Sequence, residues 1–80
     1  MCSKRIIFTK HALRRMKERG VSVREVCETL FNPDRPYELG KVGDEEIATK
    51  RFGRKEVRVV FEEKKTGELI IYTVIVKRSR

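Results

Sequence analysis

The two apolar runs that end the chain constrain its fold more than any other feature. Residues 55–63, KEVRVVFEE, alternate so that Val57, Val59 and Phe61 share one face, which is the pattern of a half-buried β-strand. Residues 68–78, ELIIYTVIVKR, are apolar on both faces, as expected of a central strand that helices cover on one side. The first half of the chain must therefore supply helices that pack on a sheet.

Three further segments are predicted to extend this sheet. Residues 46–52, EIATKRF, have the composition of a strand, residues 35–40, RPYELG, predict a weaker one, and IIF before Thr9 predicts a short edge strand. Turn-forming residues separate the last strands: KVGDE, GR and KKTG. The second half of the chain is therefore predicted to form an antiparallel meander.

The segment that follows Thr9 has the boundary signals of a helix. Thr9 is a favoured N-cap residue, and Phe8 and Leu13 are spaced as a hydrophobic staple. Gly20 is a typical C-terminal residue, so the first helix is predicted over about residues 10–19.

A second helix is predicted directly afterwards. Ser22 and Glu25 have the spacing of a capping box, and Val21 and Val26 have that of a second staple. The helix is expected to continue to about Phe31 and to end before NPDRP, which is rich in turn-forming residues. Two helices joined by one or two residues predict an αα-hairpin.

These elements and the length of the chain predict a single domain over residues 1–80. A chain of 80 residues buries only about 60% of the surface that it exposes when unfolded, so its apolar residues are needed for one core. The expected fold is α+β, in which the αα-hairpin packs on one face of a three- to four-stranded antiparallel sheet.

The chain carries a large excess of positive charge. Twenty Lys and Arg against twelve Asp and Glu give a net charge of +8, which favours a nucleic acid or an acidic protein as the partner. An abundance of Lys, Arg and Glu is also typical of heat-adapted proteins. Heat adaptation accounts for the quantity of charge but not for its positive sign.

Several functional classes are excluded by what the sequence lacks. No run approaches the roughly 20 apolar residues of a membrane span, and MCSKRIIFTK contains too few apolar residues for a signal peptide. A cytoplasmic location is therefore expected.

Cys2 and Cys27 lack the spacing of metal ligands. Reduced thiols are expected, with Cys27 buried on the apolar side of the second helix. No metal and no cofactor is predicted.

The first helix carries the only histidine of the chain, His11. With about 100° of rotation per residue, Arg15 lies about 40° and Arg19 about 80° from His11 around the helix. We call these three residues the His–Arg row. An apolar stripe that borders the row is predicted to be buried: Ala12, Leu13 and Met16. A row at the margin of the core is held in place by packing, as a functional site requires.

The His–Arg row contains groups suited to chemistry at a phosphate. An imidazole exchanges a proton near neutral pH, and two guanidinium groups can hold a phosphodiester and stabilise charge on its non-bridging oxygens. RNA brings its own nucleophile, the 2′-hydroxyl, so such a site cleaves it without a metal. The alternative is a purely structural row whose arginines pair with helix carboxylates: Glu18, Glu25 or Glu28.

Four segments resemble a known family: HALRRMKERGVS, VCETLFNP, GRKEVRVVFEE and LIIYTVIVKR. They are similar to the small prokaryotic domain-of-unknown-function 4258 family over roughly residues 8–77. The chain is also distantly similar to the BrnT ribonuclease toxins and, through them, to the RelE/ParE toxin superfamily. The resemblance implies two helices on an antiparallel sheet, a metal-independent endoribonuclease activity and an antitoxin encoded by a neighbouring gene as the protein partner.

The resemblance also implies which residues act. The opening motif of the family is matched within HALRRMKERGVS by the His–Arg row and by Gly20. Gly20 is a helix C-cap first and a functional position second. The predicted catalytic residues are His11, Arg15, Arg19, Arg58 in the R-V-V strand and Thr73 in the last strand. The predicted nucleic-acid-binding residues are Arg14, Lys50, Arg51 and Arg54.

Three functions agree with these features. The first is a toxin-like endoribonuclease that acts on RNA, either free or bound to ribosomes. The second is a non-catalytic module that binds RNA or inhibits an acidic protein, as the gyrase inhibitors of the superfamily do. The third is a domain that binds a small protein partner through an exposed sheet edge.

Overall fold

The computed structural model describes residues 5–39 and 45–78, with Leu39 described by its backbone alone. Two helices and five strands follow one another: β1 (Ile6–Phe8), α1 (Lys10–Arg19), α2 (Val23–Phe31), β2 (Glu38–Leu39), β3 (Glu46–Phe52), β4 (Lys55–Glu63) and β5 (Leu69–Arg78). The predicted α+β class is confirmed. The predicted KVGDE turn falls largely outside the described residues.

The predicted helix boundaries are confirmed by the capping contacts. The Thr9 hydroxyl accepts a hydrogen bond from the Ala12 amide, and Gly20 ends α1 in the left-handed conformation with φ of 68°, which a residue without Cβ adopts at low cost. Ser22 and Glu25 form the complete capping box of α2. Short-range hydrogen bonds therefore determine where both helices start.

The sheet differs from the expected antiparallel one of three to four strands. It has five strands in the order β1-β5-β4-β3-β2, and β1 runs parallel to β5, with Ile6 opposite Leu69 and Phe8 opposite Ile71. The sheet is therefore mixed. A tight turn forces consecutive strands to be antiparallel, but β1 and β5 are joined through the whole domain, so no turn sets their orientation.

Both helices lie on one face of the sheet, as predicted. Helix α1 contacts β5 and β1, and α2 contacts β4 and β3, so the expected αα-hairpin takes an open form in which each helix packs on its own strands. The core between them consists of buried apolar side chains: Ala12, Met16, Val21, Val26, Leu30, Ala48, Val57, Val59, Phe61, Leu69, Ile71 and Val74.

Two sequence predictions about buried residues are wrong. Leu13, expected in the buried stripe of α1, is 50% exposed, because α1 rests on β5 mainly through Ala12 and Met16. Cys27, expected to be a buried reduced thiol, is half-buried and disulfide-bonded. The face of α2 that is buried belongs instead to Val26 and Leu30.

Strand β5 changes its environment halfway along its length. Its pairing with β1 ends at Ile71, and its register with β4 shifts there, since Val60 faces Thr73 whereas Phe61 faces Ile71. This β-bulge leaves Tyr72 without a register partner. Among the described residues, the segment from Thr73 to the end of β5 pairs with β4 alone. The expected central strand is therefore an edge strand in its second half.

Neither helix in the described part of the chain has the length and apolar character needed to cross a membrane.

Candidate functional site

A groove of about 320 Å³ lies between α1 and the second half of β5. The His–Arg row forms one wall, and four consecutive strand residues form the other. Its lining residues are His11, Arg15, Arg19, Thr73, Val74, Ile75 and Val76. The structure thus brings together four of the five predicted catalytic residues.

Thr9 fixes α1 against β5 at the entrance of this groove. The Thr9 amide donates to the Ile71 carbonyl at 3.2 Å, and the Thr9 hydroxyl lies 2.9 Å from that oxygen and 3.1 Å from the Tyr72 carbonyl. The same hydroxyl accepts from the Ala12 amide at 3.1 Å. One side chain therefore caps the helix and covers the last carbonyls before the open edge.

The far end of the groove is held by two basic side chains. Arg78 Nη2 donates to the Arg19 carbonyl at 3.2 Å, and Lys55 Nζ donates to the Gly20 carbonyl at 3.3 Å. Lys55 also pairs with Glu25 at 2.7 Å. Burial acts to raise the pKa of Glu25, but the hydrogen bonds from Lys55 and Ser22 lower it below the usual value. The last turn of α1 is thereby tied to β4 and β5.

The electrostatic character of the groove is positive. No carboxylate is among its lining residues within the described chain. Outside the groove, Glu18 Oε1 lies 3.4 Å from Arg15 Nη1, and Glu18 Oε2 lies 3.8 Å from Arg14 Nε. The alternative in which the arginines of the row pair with a helix carboxylate therefore holds for Arg15. Arg15 is 41% exposed in this pair and still lines the groove.

Arg58, the fifth predicted catalytic residue, does not line the groove. Its Nε donates to Glu56 Oε1 at 3.0 Å, and it lies on the sheet face opposite to that of the buried Val57 and Val59. It stands opposite Ile75 of β5, one strand away from the groove edge. The geometry gives it a contact with a carboxylate rather than access to a ligand in the groove.

The predicted nucleic-acid-binding residues occupy three different places. Arg14 is exposed on the outer side of α1 and contacts Glu18. Lys50 Nζ donates to the Asn32 carbonyl at 2.9 Å and lies 3.5 Å from Asp34, so it fastens the segment after α2 to β3. Arg51 and Arg54 line a smaller concavity of about 110 Å³ at the turn between β3 and β4.

Apart from Thr73, the strand side of the groove was not predicted from the sequence. Val74, Ile75 and Val76 line it together with Thr73, and Lys77 and Arg78, which follow directly, line the smaller concavity. The available signal was the basic ending of an otherwise apolar strand. No local pattern in the sequence shows that the pairing of β1 with β5 ends at Ile71 and leaves the rest of β5 at the edge of the sheet.

Among the described residues no cluster of three or more His, Cys, Asp or Glu side chains is placed to hold a metal ion.

The fold and the groove define a small α+β domain with a histidine and two arginines beside an open strand edge. The chain belongs to the family described as Domain of unknown function (DUF4258), which matches residues 8–76. This match confirms the predicted resemblance to that family. No curated protein and no solved structure gives a significant match to the chain, so a relation to BrnT or to the RelE/ParE superfamily is not shown.

Proposed function

We propose that this protein is a toxin-like, metal-independent endoribonuclease whose groove binds a phosphodiester of RNA. The observation that carries the proposal is the convergence of His11, Arg15, Arg19 and Thr73 on one groove with no carboxylate in its described lining. Guanidinium groups bind a phosphate through paired hydrogen bonds. A neighbouring carboxylate would repel it, and Glu18, which pairs with Arg15, lies outside the groove.

In the proposed reaction the RNA supplies the nucleophile. His11 accepts the proton of the 2′-hydroxyl, the 2′-oxygen forms a bond to phosphorus, and the bond from phosphorus to the 5′-oxygen breaks. The leaving 5′-oxygen takes a proton from the imidazolium or from water. The products are a 2′,3′-cyclic phosphate and a 5′-hydroxyl, and no oxidant, reductant or metal enters the balance.

The other groove residues stabilise and orient the phosphate in this scheme. Arg15 and Arg19 lie one and two turns along α1 from His11, so they face the same side and contact the non-bridging oxygens, where negative charge builds up. The Thr73 hydroxyl, on the opposite wall, donates to the phosphate and fixes its rotation. Arg58 has no direct role in this scheme.

A cleavage assay with RNA in EDTA, with and without ribosomes, tests the proposal. We expect the wild type to cleave under these conditions and His11→Ala to be slower by at least about 100-fold, the usual contribution of general acid–base catalysis. RNA affinity of this variant should change by less than about threefold, because the arginines carry the binding. Lys17→Ala, an exposed change on α1 outside the groove, is the control and should cleave normally.

Full cleavage by His11→Ala would remove the proposed role of the imidazole. A second function is favoured by one specific observation: the chain has a single histidine, and Arg58, another of the predicted catalytic residues, contacts Glu56. That function is a non-catalytic module that binds RNA phosphates. Salt-dependent RNA binding without turnover in the presence and absence of ribosomes would establish it.

We also propose an antitoxin-like protein partner of acidic character, from the family resemblance and the net charge of +8, and a cytoplasmic location, from the family resemblance alone. Co-expression with the protein encoded next to the gene tests the partner. A stable complex in which cleavage is suppressed is expected, and unchanged cleavage in the presence of that protein would refute it. The location is tested by cell fractionation, in which recovery of the chain outside the cytoplasm would contradict it.

A further inference from the structure

The smaller concavity at the turn between β3 and β4 lies beyond the far end of the groove along β5. The lining residues of this concavity are Arg51, Arg54, Glu56, Lys77 and Arg78. Lys77 and Arg78 come directly after Val76, the last strand residue of the groove. The Arg78 side chain, which donates to the Arg19 carbonyl at the far end of the groove, also lines the smaller concavity. A ligand that extends along β5 can therefore reach both concavities.

Glu56, the one carboxylate among the described lining residues of this concavity, already has cationic partners. Glu56 Oε1 accepts from Arg58 Nε at 3.0 Å and lies 3.9 Å from Arg35 Nη2. Neither Arg35 nor Arg58 lines the concavity. Because these two guanidinium groups offset the charge of Glu56, the four cationic side chains of the lining determine the local potential.

The opposite end of the sheet has a different charge pattern. A concavity at the turn between β4 and β5 is lined by three carboxylates and two ammonium groups: Glu46, Glu62, Glu63, Lys64 and Lys65. A polyanion that leaves the groove is attracted towards the turn between β3 and β4 and away from those carboxylates. The direction of the ligand along β5 is therefore set by charge.

We propose that the concavity formed by Arg51, Arg54, Lys77 and Arg78 binds a further phosphate of the same RNA strand, which makes the substrate a single-stranded RNA of several nucleotides. This inference rests on the proposed function of the groove. Thr73 and Arg78 are five residues apart, or roughly 17 Å along a strand. One phosphodiester cannot contact both ends of this distance, whereas an extended single strand can follow it.

The lining of the two concavities also predicts weak base preference. No Phe or Tyr is among the described lining residues, and aromatic side chains are the usual stacking platforms for bases. Arginine and lysine contacts to phosphates carry no sequence information. The two concavities together therefore recognise the sugar–phosphate backbone of the RNA strand.

Fluorescence anisotropy with 2′-O-methyl oligonucleotides tests the proposal, since these probes lack the nucleophile and are not cleaved. The two probes are a dinucleotide, which fills only the groove, and an octanucleotide, which reaches the second concavity. The test variant is Arg54→Ala/Lys77→Ala. The matched control is Arg5→Ala/Lys65→Ala, which removes two charges at the opposite end of the sheet. Circular dichroism verifies that both variants fold.

We expect the test variant to bind the octanucleotide about tenfold more weakly and to lose about 1.4 from the slope of log affinity against log salt, about 0.7 for each lost phosphate contact. Dinucleotide affinity should stay within about twofold. The control variant should bind both probes nearly as the wild type does. Arg15→Ala should weaken both probes, since its side chain lines the groove.

Three results would overturn the inference. If the test variant binds the octanucleotide like the wild type while Arg15→Ala does not, the second concavity does not bind RNA. The proposed function of the groove then stands. An equal loss in the test and control variants means that only net charge matters. If the wild type binds neither probe, the proposed function fails and the inference fails with it.

Discussion

The two edges of the sheet are closed in different ways, and the difference shows where a ligand has access. At the β3 edge, β2 pairs with Ile47 and Glu46, and Asp34 then takes the place of a strand. The Asp34 amide donates to the Thr49 carbonyl at 2.9 Å, and Asp34 Oδ2 accepts from the Arg51 amide at 2.7 Å. Backbone groups that would otherwise be exposed at this edge are thus satisfied.

At the β5 edge, coverage stops earlier. Strand β1 covers β5 as far as Ile71, and Thr9 covers the Ile71 and Tyr72 carbonyls before the chain turns away into α1. From Thr73 onwards the neighbour of the edge is the His–Arg row. An anionic side chain seals one edge, and cationic side chains border the other. A second copy of the chain would bring further cations to the β5 edge, so charge repulsion opposes self-pairing there.

Thr9→Val should produce the largest effect on stability, because Thr9 joins α1 to the covered part of the β5 edge. The change removes the N-cap of α1 and the hydroxyl contacts to Ile71 and Tyr72. We expect the free energy of unfolding to fall by about 2 kcal/mol, together with weaker binding of a dinucleotide in the groove. Urea denaturation and anisotropy measure the two effects.

Thr9→Ser is the matched control because it keeps the hydroxyl. It should lie within about 0.5 kcal/mol of the wild type. Equal stability of the Val and Ser variants would show that Thr9 does not hold the helix on the strand, and that the groove has another support.

Asp34→Asn should affect the β3 edge alone. The hydrogen bond from the Arg51 amide, assisted by the charge of Lys50, holds the pKa of the Asp34 carboxyl below its usual value. A lowered folded-state pKa contributes stability that is present above the unfolded-state pKa, about 3.9, and is lost as the pH falls through the folded-state pKa. The wild type should therefore be more stable than Asp34→Asn at neutral pH, and the difference should shrink below about pH 4.

Urea denaturation of both proteins between neutral and acidic pH measures this difference. Glu25 and Glu62 also have lowered pKa values, but both proteins contain them, so their contribution cancels. Dinucleotide affinity should be the same in the two proteins. A difference in stability that is independent of pH would mean that the charge of Asp34 does not stabilise the edge.

The parts of the fold that follow from the sequence depend on contacts within a few residues. Thr9 and Gly20 delimit α1, and the Ser22–Glu25 capping box starts α2, because each signal is a hydrogen bond or a backbone conformation within one turn. The bounds of β3 and β4 follow equally from alternation and turn residues. For the same reason, the neighbouring positions of His11, Arg15 and Arg19 on one helix face were predictable.

What the sequence could not show depends on contacts between distant residues. The parallel pairing of β1 with β5 joins residues more than sixty positions apart, and this pairing determines where the open edge begins. The position of Arg58 is an intermediate case. Arg58 and Glu56 are two residues apart in one strand and therefore share a face, so the alternation of the strand was sufficient to predict their ion pair.

Glu18→Gln should give the smallest effect, and it tests the charge of the β5 edge directly. Glu18 pairs with Arg15, a groove residue, at 3.4 Å in a partly exposed contact, and exposed pairs of this kind contribute about 0–1 kcal/mol. Releasing Arg15 from the carboxylate should raise dinucleotide affinity about twofold. Glu28→Gln is the matched control, because it breaks the equivalent pair with Arg24 on α2 and changes the net charge equally. The gain should be confined to Glu18→Gln and should fade at high salt. Equal gains in both variants would indicate that net charge, and not the release of Arg15 beside the open strand edge, governs binding there.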